Sequence, residues 1–229
     1  MRFKILAILI FGHINLFAQM EIVEKRLSDL GIAEDFLTQN LKDSDAAHSF
    51  NLETTNISST ETKVEHAKFD PTKPIGERWI LVDVNGQAPT KKELKQFDKA
   101  HNTKQEDING EVDDSSWKIV QDDEDYLAIS YHLDPNTLPT KYKFLASCVG
   151  TAYINKKSKK LERAEYINNA PLKIKIFNVT KLDMKVYFHY NADEEVYFIL
   201  KEEIDMEVKL LGQEVEILEK NEFSDYKKI

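Results

Sequence analysis

What most constrains this chain is a period of two that runs through its last third. From Leu182 to Tyr190, the residues Leu182, Met184, Val186, Phe188 and Tyr190 share one parity, while Asp183, Lys185 and His189 share the other. Alternation over that length requires a β-strand with one dry face and one wet face. A turn at Asn191-Ala192-Asp193 follows, and the pattern resumes. Val196, Phe198 and Leu200 are expected on one side together with Ile204, Met206, Val208 and Leu210, against Glu203, Asp205, Glu207 and Lys209 on the other. Gly212-Gln213 then turns the chain into Glu214 to Glu219, with Val215 and Ile217 on one face. Long consecutive strands joined by short turns make an antiparallel meander, not a doubly wound parallel sheet.

The first residues read differently. Arg2 and Lys4 precede the apolar runs Ile5 to Phe11 and Ile14 to Phe17, and Ala18-Gln19 follows. A basic start, a short apolar stretch and a small residue before a plausible cut predict a secretory signal peptide over residues 1–18. The stretch is interrupted by His13 and Asn15 and falls short of the roughly 20 apolar residues of a membrane span. The sole cysteine, Cys148, is far from that cut. The expectation is therefore a periplasmic or extracellular protein with no lipid anchor and no internal disulfide. Residues 19–229 are expected to form a single domain. The formal charge of −9 becomes −11 once Arg2 and Lys4 are gone, which argues against nucleic acid or an anionic membrane as the main partner.

In the remaining chain, Val23, Leu27, Leu30, Ala33, Leu37 and Leu41 fall at helical spacing, predicting one helix from Ile22 to Leu41 or two helices bent near Gly31. Ser49 to Asn56 and Ser59 to Lys68 read as polar strands suited to a sheet edge or a solvated face. Arg78 to Val84 is a strand closed by Asn85-Gly86, a strong hairpin signal. Thr90 and Glu93 have the spacing of a capping box, predicting a helix with Leu94, Phe97 and Ala100 on its apolar stripe and an end by Asn102. The acidic stretch Thr103 to Ser116 puts Gly110 one place early for a calcium loop and is read as solvated. Trp117 to Val120, Tyr126 to Leu133, Tyr142 to Ile154 and Leu161 to Asn168 complete a count of ten or eleven strands. The small residues Ala146, Ser147, Cys148 and Gly150 mark either a bend or room for a bulky neighbour. The fold class expected is α+β: a strongly curved antiparallel sheet, an open half-barrel, covered by an N-terminal helix and one inserted helix.

That order of parts resembles the periplasmic lipoprotein carriers and receptors of the LolA/LolB type. The similar features are the leader, the helix Ile22 to Leu41, the helix Thr90 to His101 between strands, the basic turn after Tyr153-Ile154-Asn155, the meander, and Phe223-Ser224-Asp225-Tyr226. The resemblance implies helices over an apolar concave face, and a cavity for acyl chains or other apolar groups. It carries over no functional residue. Gly76-Glu77-Arg78-Trp79 and Asn85 to Thr90 are also similar to stretches of secreted bacterial proteins of no assigned function.

The chain carries no recognisable constellation for chemistry. His48, His66, His101, His132 and His189 lack metal-ligand spacing, and there is no nucleophile elbow or phosphate loop. Neither a metal nor a cofactor is expected. Cys148 is expected to be an inert buried thiol, although a Cys–His pair assembled in space is not excluded by sequence. Leu182, Met184, Val186, Phe188, Phe198, Met206 and Val208 are the candidate lining of a ligand cavity, and equally a filled core. The reading is a non-catalytic binding protein for a lipid or other apolar ligand. The alternatives are a module that docks an envelope protein through a sheet face or edge and, most weakly supported, an enzyme.

Overall fold

The computed structural model describes residues 14–32, 47–59, 61–102, 110–174, 177–210 and 213–229, with side chains from residue 19 in the first segment. The expected helix beyond Ile32, the centre of the acidic loop at Asp107 to Asn109, most of the leader and the turn residue Gly212 lie outside the described residues.

Among the described residues, eleven strands form one antiparallel sheet. They are β1 (His48–Ser58), β2 (Thr62–Phe69), β3 (Trp79–Val84), β4 (Lys118–Asp122), β5 (Tyr126–Tyr131), β6 (Cys148–Asn155), β7 (Lys160–Asn168), β8 (Leu172–Ile174), β9 (Phe177–Asn191), β10 (Val196–Leu210) and β11 (Gln213–Lys228). The order is β3-β2-β1-β11-β10-β9-β7-β6-β5-β4, with β8 alongside β9. The sheet is open, and β3 and β4 are its edges. It is curved: the Tyr197 hydroxyl of β10 reaches past β9 to accept the Leu161 N–H of β7 at 3.3 Å.

Helix α1 (Ile14–Leu30) packs beside edge strand β4, and α2 (Lys91–His101) beside edge strand β3. α1 stops where its chemistry demands. Gly31 has φ +64, Ile32 N–H bonds to the Leu27 carbonyl and Gly31 N–H to that of Ser28, both at 2.9 Å. This is a Schellman end, and Leu27 and Ile32 are both buried, as such an end favours. α2 starts with the expected capping box, Thr90 and Glu93 bonding each other's backbone N–H. Asn85 and Gly86 both have positive φ, and Val84 and Gln87 exchange two backbone bonds, giving the two-residue hairpin that this dipeptide favours.

Two strand expectations are corrected. Tyr142 to Ser147 is not extended: Thr140–Ser147 is a 3-10 segment, and β6 begins at Cys148. The alternation of Lys141, Lys143, Tyr142 and Phe144 imitates a strand, yet the residue this segment buries is Leu145. In β10 a bulge at Leu200 shifts the register between Ile199 and Lys201. Before it, Tyr197 and Ile199 lie opposite Tyr190 and Phe188; after it, Ile204 and Met206 lie opposite Met184 and Leu182. An extra residue moves every earlier side chain to the other face. Phe198 therefore does not share a face with Ile204 and Met206. Leu200 itself is 45% exposed.

The middle of β6 is explained by its neighbours. Gly150 lies opposite both Tyr131 and Tyr166. A Cβ on Gly150 would stand 2.6 Å from the Tyr131 ring. The ring thus crosses over the glycine, and the two tyrosine hydroxyls meet at 2.8 Å. The small residue there makes room for a bulky neighbour.

Candidate functional site

One rung of side chains crosses the helix-bearing face from edge to edge. Starting at β4, the register aligns Ile119, Ile129, Ala152, Ala164 and Val186. It continues through Glu202, Asn221, Thr54 and Glu65, and ends on Val84 of β3. Directly opposed residues share a face, so this face is apolar at both ends and polar in between. The next rung repeats the change: Tyr166, Met184 and Ile204 are followed by Glu219, Asn56 and Lys63.

The two ends are filled. Beneath α1, Val23 and Leu27 pack with Leu127, Ile129, Ile154, Leu161 and Phe188. Beneath α2, Phe97 packs with Leu52, Ala67, Leu81 and Val84. Between them is a less covered strip, which we call the trough. Met184, Val186, Ile204, Met206 and Ile217 are only half-buried on this face. Below them Leu182, Val179 and Val208 are buried with Cys148 and Leu172.

The polar side of the trough is a connected set. Thr54 Oγ1 donates to Asn221 Oδ1 at 2.7 Å, and Asn221 Nδ2 donates to Glu202 at 3.3 Å and to Glu219 at 3.2 Å. Lys63 is paired with Glu65 at 2.7 Å. Burial at the α2 end holds the His101 imidazole below its usual range, against the opposing pull of Glu65.

The outer face is of another kind. Lys185–Asp183 at 2.9 Å, Lys201–Glu203 at 2.8 Å and Lys181–Asp205 at 2.7 Å form a charged lattice. Lys201 holds the Glu203 carboxyl below its usual range.

The seven residues singled out from sequence separate into three groups. Leu182, Phe188 and Val208 are buried in packed clusters. Met184, Val186 and Met206 lie half-buried along the trough. Phe198 lies elsewhere: opposite His189 in the register, stacked on Tyr226 at 4.3 Å and edge-on to His48 at 4.9 Å. Ile204 and Ile217 also belong to the trough: Ile204 shares the parity of Met206, and Ile217 joins them only through the pairing of β10 with β11. Its polar members, Thr54, Glu202, Glu219 and Asn221, have no sequence signal beyond sitting on apolar-parity positions.

A thiol–imidazole pair does not form. His132 Nδ1 bonds the Cys148 carbonyl at 2.9 Å, while the Cys148 thiol faces the Phe144 carbonyl at 3.7 Å. Burial pushes that thiol up to about 11. Desolvation likewise raises Tyr131 and Tyr166. Among the described residues, no group of three or more His, Cys, Asp or Glu side chains is placed to hold a metal ion, and no helix is long and apolar enough to cross a membrane.

No protein-family model and no curated protein matches the sequence. Solved structures do. The chain is similar to a LolA superfamily protein from Nitrosomonas europaea, with 12% identity over 83% of this chain and 93% of that one, and a TM-score of 0.36. It is similar to a putative outer membrane lipoprotein-sorting protein domain from Vibrio parahaemolyticus, with 8% identity, 92% of each chain and a TM-score of 0.36. The MucA/MucB complex of Pseudomonas aeruginosa follows at 8% identity and a TM-score of 0.20, covering 83% of this chain and 93% of that one. The first two carry the description that the order of parts led us to expect. At these scores they carry no argument about this chain, and both its fold and its function are read from its own residues.

Proposed function

We propose that the protein is an exported, non-catalytic binding protein that holds an apolar chain along the trough. The observation that supports this most is the half-buried row Met184, Ile204, Met206 and Ile217, on the same face as two filled, helix-covered ends. Apolar side chains left part-open on an otherwise packed face suit an adaptable ligand, and methionine adds conformational freedom. In this reading residues 1–18 are removed on export and residues 19–229 act as one unit in the periplasm or outside the cell.

Native mass spectrometry of the protein purified from its own envelope fraction, followed by an organic extract, tests the reading. A bound acyl-chain species is expected, and it should be lost in Met206→Glu and Ile217→Ser variants that keep the native circular dichroism. A clean unliganded mass with an empty extract would overturn it. A second reading, docking through an edge, has its own support in β3, where Ile80 and Val82 are 38% and 44% exposed. Asn102 bonds the outward N–H and C=O of Trp79 at 3.1 and 3.0 Å. That leaves the edge beyond Trp79 as the place where a cross-linked partner would map.

A further inference from the structure

A pair of hydroxyls at the α1 side of the trough bears on what its ligand carries, and this rests on the reading above. Tyr131 of β5 and Tyr166 of β7 meet over Gly150, their oxygens 2.8 Å apart. Two hydroxyls hold two protons, and the bond between them uses one. Among the described residues no other group bonds to either oxygen, so the second proton has no protein acceptor. Tyr131 is 8% exposed. Tyr166 is half-buried and stands directly opposite Met184 of the trough. It packs against both the core beneath α1 and the buried cluster beneath the trough. When Tyr131 donates to Tyr166, the second proton lies on Tyr166, the member that borders the trough. In the reverse arrangement it is enclosed on Tyr131, where an unmade hydrogen bond is costly. An acceptor in the trough therefore selects the first arrangement.

The surroundings select the kind of acceptor. Burial is the main cause that raises both phenols, and the other groups acting on them are each other and the Cys148 thiol, with no carboxylate or cation among them. Both hydroxyls therefore keep their protons at neutral pH and remain donors. An anionic acceptor would leave water here without a countercharge, a cost that a neutral carbonyl does not face. We infer that the trough fixes its ligand by a neutral carbonyl, such as that of an ester or a ketone, which accepts the Tyr166 hydroxyl proton while the apolar chain runs away over Met184 and Ile204 toward β11.

Infrared spectroscopy of methyl octyl ketone, isotopically labelled at its carbonyl carbon and bound to an excess of the purified protein, tests this. The bound C=O stretch should lie below its value in hexane. Tyr166→Phe should return it to that value and weaken binding about fivefold in calorimetric titration. Tyr131→Phe, which leaves the Tyr166 proton in place, should keep the lowered band, with the fold of each variant checked by circular dichroism. Should Tyr166→Phe fail to fold, replacing the tyrosines biosynthetically by ring-fluorinated tyrosine, a stronger donor, should lower the band further, and an unmoved band would overturn the contact. A bound ketone at the hexane frequency in the parent protein would overturn the tyrosine contact and leave the trough reading standing. A lowered band that survives Tyr166→Phe would place the donor elsewhere and overturn the assignment. Decanoate bound more tightly than the ketone would overturn the preference for a neutral acceptor. No binding of either probe would remove both this inference and the trough reading.

Discussion

The two ends of the sheet bury their apolar face by different means. At the α1 end the filling is mainly aliphatic and deep: Leu127, Ile129 and Ile154 have no exposed surface at all. Five strands, α1 and the residues leading into β6 close over it. At the α2 end the cluster is small, and α2 contributes one buried residue, Phe97. Rings make up the difference there. Phe50 packs against Phe69, Trp79, Phe223 and Tyr226, with centroids between 4.9 and 5.8 Å. Aromatic groups supply large area and directional contacts where few layers are available. The comparison teaches that the two helix-covered ends of this sheet have separate cores, one on each side of a polar strip, and that they need not share one stability.

Substitution can break or sharpen that comparison. Leu127→Ala should destabilise the whole protein by about 4 kcal/mol in chemical denaturation, because a fully enclosed site collapses poorly. Phe97→Ala should cost about 3 kcal/mol by the same measure, with amide hydrogen exchange accelerated in β1, β2, β3 and α2 and little changed in β5 and β6. Uniform acceleration throughout would show one cooperative core and end the distinction.

Gly150→Ala comes next. Its Cβ would press on a Tyr131 ring that is pinned by Tyr166, so a loss of about 2 kcal/mol is expected, confined to the α1 end. An unchanged denaturation midpoint would mean the ring moves freely.

The smallest effect is tied to pH and belongs to the α2 end. His66 lies between Asp83 of β3 at 2.9 Å and Glu53 of β1 at 3.1 Å. A neutral imidazole has one N–H and can donate to one carboxylate only; the cation serves both. Asp83 is the main cause of the raised His66 pKa, with Glu53 adding to it against desolvation. Stability from this raised value is fully present below the ordinary 6.5 and is lost as pH rises through the folded value. Asp83, held low by His66, adds stability above the usual carboxylate range that is lost in acid. The fastening of β3 is therefore best in mildly acidic solution. His66→Gln should flatten the pH dependence of stability above neutrality, and a profile identical to the parent would exclude this role.

Much of the fold was legible because it is local. The capping box, the Asn85-Gly86 hairpin and the alternation of β9 are each written in residues close together in the sequence, and each appears as expected. Strand existence could be read even in polar β1 and β2. What could not be read is set by partners far away. The bulge at Leu200 has no residue signature, yet it alone decides that Phe198 points away from Met206. The 3-10 segment before Cys148 imitates a strand through alternating lysines and rings. Of the trough, its apolar half was legible as one parity of β9 and β10. Its polar half was not, because Glu202, Glu219, Asn221 and Thr54 become neighbours only when β11 lies between β10 and β1.

That pairing of β11 with β1 has a consequence for how the protein is made. Asn51 and Asp225 bond at 2.7 Å across 174 positions of chain. Contacts at such separation are formed late, since the loop that joins them must first be closed at an entropic cost. The hairpins of β4 to β7 and the β9–β10 pair can form as they emerge. The three strands β1 to β3, with their ring of aromatic side chains, have no sheet to join until β11 arrives. An early segment that waits with Phe50, Phe69 and Trp79 uncovered is the part of this chain most in need of a chaperone, and β11 is the strand that releases it.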